Sequence, residues 1–161
     1  MKENRCTTVD TWRRHAMALI ERQKTLVLAT SEENHPWAAP VYYVYIEPAF
    51  YFFSSPRSKH IVQALKNSVN SAAVFSDAEQ WQQLEGIQMK GRLREIRKKM
   101  ERITVTTRYL RKFPMAKSLL TLKKEETMGF SAKVSLYAFK PERVYYMNNQ
   151  MGFGERIELE L

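Results

Sequence analysis

Residues 52–61 read FFSSPRSKHI, and the second half of that stretch could hold an anion. Ser54, Ser55 and Ser58 bring hydroxyls, and Arg57 and Lys59 bring cations. All lie between an aromatic run and a segment with helical periodicity. A phosphate monoester carries close to two negative charges near neutral pH, so its holder needs several donors and a fixed cation converging on one point. Serine hydroxyls, a lysine and the free amides of a helix N-terminus supply that combination. Pro56 suits a first helical position, where a missing N–H costs nothing. A serine cap on a solvated helix start would use the same residue types. From the residues alone both readings stay open.

Other chemistry is scarce. No G-x-x-x-x-G-K-[ST] stretch, no G-x-G-x-x-G after a strand and no paired C-x-x-C occurs. His15, His35 and His60 are scattered, and no two stand at metal-ligand spacing. Cys6 is alone and can form no internal disulfide. Glu125 and Glu126 read as a solvated pair. Tyr42, Tyr43 and Tyr45 read as core and sheet surface, although a flat cofactor ring also needs such apolar walls. The basic run RLREIRKKMER (92–102) lacks a stacking motif or recognition helix, and it reads as a solvated helix start rather than a nucleic-acid surface.

The elements that must position these residues follow from periodicity. The 161 residues suit one domain, 1–161, and 44% hydrophobic content permits a sizeable core. A formal charge of +9, with a pI near 9.7, favours anionic partners. The N-terminus has no apolar leader and no run approaches membrane-spanning length, so a cytoplasmic protein is expected. Val9, Trp12, Ala16 and Leu19 predict a helix over 9–22, capped at Thr8. Strands are predicted at 25–30, 37–46, 50–54, 71–76, 86–96, 132–139, 143–148 and 156–161. Pro40, inside the second of these, points to a bulge, an edge or backbone kept clear. A helix over 57–67 should turn Ile61, Ala64 and Leu65 inward. A longer one follows from Met100, Ile103, Thr107, Leu110 and Phe113, interrupted at Pro114. Hairpin-linked strands with helices inserted predict an α+β antiparallel sheet, and eight strands suit a closed or partly closed barrel.

The stretch LATSEENHPWAAPVYYVYIEPAFYFFSSPRSKHIVQALKNSVNSAAVF, followed by GIQMKGRLREI, resembles the pyridoxamine 5'-phosphate oxidase-like FMN-binding split barrels. YLRKFPMAKSLL and VYYMNNQMGFGERI are similar to the family's small YhbP-like bacterial branch. The likeness runs from about residue 25 to 158, and it rests on the order and spacing of the pieces. It implies a Greek-key split β-barrel with peripheral helices, assembled as a homodimer with FMN in clefts at the subunit interface. The phosphate would fall on Phe53, Ser54, Ser58 and Lys59, with Ser55 close by. The flavin ring would lie along Ala38, Ala39, Pro40, Val41 and Tyr42. The resemblance further puts Gln88 near the ring or phosphate, Met147 where the oxidases place an aromatic, and Arg156 as an arginine given across the dimer.

Departures narrow what the resemblance implies. Ala38 and Tyr43 stand where the oxidases carry basic residues, and Phe113 stands four residues after Tyr109 where they carry an arginine. The arginine-rich C-terminal tail is missing from a sequence that ends at Leu161. These substitutions argue against vitamin B6 oxidation. The expected activity is that of an FMN-dependent oxidoreductase or flavin reductase-like protein, with no residue assigned as acid or base. The alternative is a haem-binding or non-enzymatic member of the same fold. Neither metal nor membrane is expected as a partner, and nucleic acid is not favoured.

Overall fold

A computed structural model describes residues 2–121 and 134–161, with side chains over 9–118 and 134–161. Helix α1 (Lys2–Arg22) leads into β1 (Thr25–Glu32) and β2 (His35–Tyr42), then β3 (Val44–Ile46) and β4 (Ala49–Ser54). Helix α2 (Lys59–Lys66), β5 (Asn70–Phe75), a 3-10 turn at Trp81–Gln83 and β6 (Glu85–Glu95) follow. Helices α3 (Lys99–Lys112) and α4 (Ala116–Thr121) precede β7 (Ser135–Asn148) and β8 (Ile157–Leu159). The eight strands form one antiparallel sheet in the order β2-β1-β5-β6-β7-β4-β3, with β8 paired to β7. This is the α+β split-barrel architecture that the sequence predicts.

The two edge strands, β2 and β3, are separated in the chain only by Tyr43. The single strand expected over 37–46 is therefore two. Tyr43 is fully buried. Its amide donates to the Lys24 carbonyl at 3.1 Å and its hydroxyl to the Ile20 carbonyl at 2.7 Å. The first bond is the last rung of the β1–β2 register and the second anchors the side chain under α1, and past Tyr43 the chain pairs instead with β4. Pro40 causes no bulge. Its strand is a sheet edge, where a missing N–H breaks no ladder, and the register with β1 runs unbroken past it.

The strands expected at 132–139 and 143–148 are one, β7, running straight through Pro141; residues 132 and 133 lie outside the described residues. The register with β6 shifts at Lys90/Gly91 to accommodate the proline. Gly91 makes this possible, since a Cβ there would lie 2.3 Å from the Lys140 carbonyl oxygen. Past the shift β7 changes its other neighbour, from β4 before Pro141 to β8 after it.

Two apolar clusters result. The barrel interior holds Trp12, Leu19, Leu26, Leu28, Phe50, Phe52, Tyr137 and Phe139. On the other face of β4 and β7, Tyr51, Leu136 and Ala138 pack against Val105, Tyr109 and Phe113. The continuous apolar run AFYFF thus reflects a strand covered on both sides.

Helix faces differ from expectation in three places. α1 begins at Lys2, so Thr8 falls within it; the Thr8 side chain, like those of Glu125 and Glu126, lies outside the described residues. α2 buries Gln63 rather than Leu65, which is half exposed, because Gln63 accepts a 2.7 Å bond from the Thr30 hydroxyl. α3 buries Val105 and Tyr109 and ends on buried Phe113, while Met100 and Ile103 face outward. The basic run over 92–102 spans the end of β6, a short connection and the first turn of α3, so the expected helix start covers only its last part. Arg92, Arg94 and Arg97 pair with Glu142, Glu101 and Glu95.

Candidate functional site

The turn from β4 to α2 is built around Pro56. The helix starts at Lys59, not near residue 57, so Pro56 sits in a turn closed by the Ser58 amide donating to the Ser55 carbonyl at 3.0 Å. Proline presets the backbone angle needed at that turn position. Ser55 is used locally: its Oγ accepts from the Arg57 amide at 3.3 Å. Ser58 holds the N-cap position with extended backbone angles, but its hydroxyl makes no capping bond. That hydroxyl and the first-turn amides of Lys59 and His60, which have no partner within a helix, are left for an outside acceptor.

Lys59 and Ser54 flank this opening. The Lys59 ammonium lies 4.4 Å from the centre of the Trp37 ring, which ties the start of α2 to β2 beside Ala38. Ser54 ends the β4 ladder opposite Ser135, and its Oγ is 2.9 Å from His60 Nε2 in a partly buried contact. Burial lowers the proton affinity of His60 below the usual histidine range.

The outward sheet face beside β2 is low and apolar. One row of cross-strand neighbours runs Ala38, Ala29, Ser71, Lys90, Arg143, and the next runs Pro40, Val27, Ala73, Gln88, Tyr145, Glu158. Short side chains on β2, β1 and β5 make a floor, and Gln88 and Tyr145 rise at its far side. A cleft of about 340 Å³ lies over Val27, Ala29, Ala73, Gln88 and Tyr145. A second, of about 230 Å³, adjoins it at Gln88 and reaches Met147, Phe75 and Leu84.

The structure thus groups Ser54, Ser55, Ser58 and Lys59 in one turn, and brings Lys59 to the strand that carries Ala38 and Pro40. Gln88 shares the outer face with them, and Met147 lines its margin. Five other candidates point elsewhere. Ala39 and Val41 are buried, because side chains alternate along a strand. Phe53 packs its ring 4.9 Å from Tyr109 against α3. Tyr42, though half exposed, stands 5.2 Å from Phe113. Arg156 is exposed on the bend before β8, which pairs with the later part of β7, whereas Ser54 pairs with the first residue of β7.

Sequence reasoning missed Trp37, Tyr145 and the role open to His60. Trp37 follows Pro36 at the start of the strand already singled out, and His60 directly follows Lys59. Position alone could have flagged both. Among the described residues no group of three His, Cys, Asp or Glu side chains could hold a metal ion. No described helix is long and apolar enough to cross a membrane.

Residues 13–146 match the profile of the family described as pyridoxamine 5'-phosphate oxidase. A UPF0306 protein of Klebsiella pneumoniae subsp. pneumoniae is 25% identical over 141 residues, 86% of each chain. Among solved structures, HutZ, the haem storage protein of Vibrio cholerae, superposes with a TM-score of 0.69 at 16% identity, covering 85% of this chain and 96% of its own. A FAD-binding protein of Mesorhizobium loti superposes with a TM-score of 0.62 at 19% identity, covering 80% and 88%. A haem-binding protein of Mycobacterium smegmatis gives a TM-score of 0.69 at 17% identity over 88% of this chain, which spans 55% of that protein. Likeness at these identities establishes the fold.

Proposed function

The chain belongs to the pyridoxamine 5'-phosphate oxidase family, and on that premise we propose that it binds FMN, as a homodimer, and serves as an oxidoreductase or flavin reductase-like protein. The observation that carries this reading is the Lys59–Trp37 contact. It sets a fixed cation and an uncapped helix start at the edge of a flat apolar strip. A phosphorylated, planar ligand asks for that pairing of features.

The residues present fit the group. Ser58, Lys59 and the first-turn amides would hold the phosphate, with Ser54 beside them. Ala38 and Pro40 would support the ring, and Gln88 would offer an amide at its polar edge. Ala39 and Val41 would contribute backbone only. Bound FMN supplies the redox chemistry, and the protein orients and shields it. Arg156 would act from the second subunit, which would also cover the small-residue face of β1 and β5. Ala38, Tyr43 and Phe113 offer no cation for a substrate phosphate, so vitamin B6 oxidation is not proposed. A cytoplasmic location is part of the same reading.

Absorbance of the freshly purified protein, followed by FMN titration with fluorescence quenching, tests this directly. A flavin spectrum or saturable quenching is expected, with a dimer by light scattering. Unchanged fluorescence and unchanged melting temperature in micromolar FMN would overturn it.

A haem-handling role is a second reading, favoured by the HutZ and Mycobacterium smegmatis superpositions. It predicts a Soret band on haem titration that is lost when His15, His35 or His60 is replaced.

A further inference from the structure

We infer that His60 is a positioning residue of the anion site: it sets whether the Ser54 hydroxyl can donate a hydrogen bond to a bound phosphate. The inference rests on the flavin reading above and deepens it.

The argument starts from one contact. Ser54 Oγ and His60 Nε2 are 2.9 Å apart and partly buried, so a single hydrogen joins them. A serine hydroxyl has one hydrogen to give. If His60 Nε2 is bare, Ser54 spends that hydrogen on the ring and turns only lone pairs toward the opening at Ser58 and Lys59. A dianion there meets a repulsive oxygen. If His60 Nε2 carries a proton, Ser54 accepts from the ring and its own O–H is released toward the anion. A doubly protonated ring also adds a positive charge behind the serine.

Unliganded, the ring is neutral, and with its one hydrogen on Nδ1 the Nε2 atom is bare and accepts from Ser54. His60 is half-buried, and burial alone lowers its proton affinity. The charged groups on its own turn are Arg57 and Lys59. Those on the elements packed against α2 are Glu32 on β1, His35 on β2, and Glu85, Lys90, Arg92, Arg94 and Glu95 on β6. Glu32 is paired with Lys66 and Glu85 with Arg22, and none of these groups shifts His60. No carboxylate holds the ring protonated, so the incoming dianion is what draws a proton onto it. Binding of the phosphate is therefore expected to take up a proton from solvent at His60.

The test is FMN titration by fluorescence at pH 6.5, 7.5 and 8.5, above the second phosphate pKa near 6. Riboflavin, which lacks the phosphate, is the control. For the wild-type chain the Kd for FMN should tighten at least about fivefold from pH 8.5 to 6.5; one linked proton permits at most about tenfold per pH unit. Riboflavin should show no trend. His60→Gln keeps a donor but cannot titrate, and its Kd for FMN should be flat within about twofold. Ser54→Ala removes the relay and should be flat as well. A flat wild-type profile overturns the inference, and so does an unchanged slope in either variant. Should His60→Gln fail to fold, the His60 ring can be titrated by NMR in the wild-type chain. Its pKa should rise by more than about one unit in saturating FMN, and no rise refutes the relay. Absence of FMN binding at every pH would remove the flavin reading itself, whereas binding with a flat profile removes only this inference.

Discussion

The Lys59 ammonium sits 4.4 Å above the Trp37 ring, joining the first turn of α2 to the start of β2. A cation fixed this way is ready for an anion without first being ordered, and ordering a lysine side chain costs up to about 2 kcal/mol. Lys59→Met should weaken FMN binding by about ten- to hundredfold, the loss of one charge-assisted bond. Riboflavin affinity should barely change. Fluorescence titration of both ligands checks the difference, and equal losses for the two would argue against a phosphate contact.

Ligand binding should also appear as stability. At a hundredfold excess of FMN over Kd, mass action adds about 2.7 kcal/mol to the folded state. For a chain of this length that corresponds to a melting temperature raised by roughly 5–10 °C. Differential scanning fluorimetry with FMN, and with riboflavin at the same saturation, measures it.

Gly91 faces the turn of β7 at Lys140 and Pro141 with no room for a side chain. Gly91→Ala forces backbone to move on one of the two strands. A loss of about 2–4 kcal/mol is expected in urea denaturation, within the upper range for overpacking and strain. Gly154 has open space around it but a positive φ of 75°, so Gly154→Ala should cost about 1 kcal/mol through backbone strain alone.

Two buried phenols give the fold an alkaline limit. Burial pushes Tyr109 up to about 12, and burial reinforced by the Glu21 carboxylate pushes Tyr43 higher still. In the unfolded chain both ionise near 10. Above pH 10 the unfolded state therefore holds fewer protons than the folded one, and stability falls as pH rises. The urea midpoint should drop between pH 10 and 12. Tyr43→Phe should lie about 1–3 kcal/mol below wild type at neutral pH, since the Ile20 carbonyl loses its donor, and should show a shallower alkaline decline.

Most of the architecture was legible because strand periodicity is local. β1, β5 and β6 alternate buried and exposed residues over much of their length, and Glu33 and Asn34, both with positive φ, make the tight turn between β1 and β2. The unread parts depend on partners distant in sequence. Nothing near Tyr43 reveals that Ile20 and Lys24 will take its hydroxyl and amide. Nothing near Pro141 reveals that Gly91 will lie across from it. In α3, Met100, Ile103, Leu110 and Phe113 keep helical spacing as well as Val105, Tyr109 and Phe113 do, so spacing found the helix but not its inner face. At the site, the turn over 54–59 could be picked out by residue type. The side facing the ligand could not, because a period of two leaves open whether Ala38 and Pro40 or Ala39 and Val41 point inward.

The step at Tyr43 has a consequence for how the protein keeps to itself. The sheet's two terminal strands, β2 and β3, are neighbours along the chain, and β2 lies against β4, the strand that β3 pairs with. The margin at β2 is thus brought beside the strand next to the opposite margin. A sheet whose two ends come back toward one another is partly closed, and partial closure is one way a fold limits foreign strands on its margins.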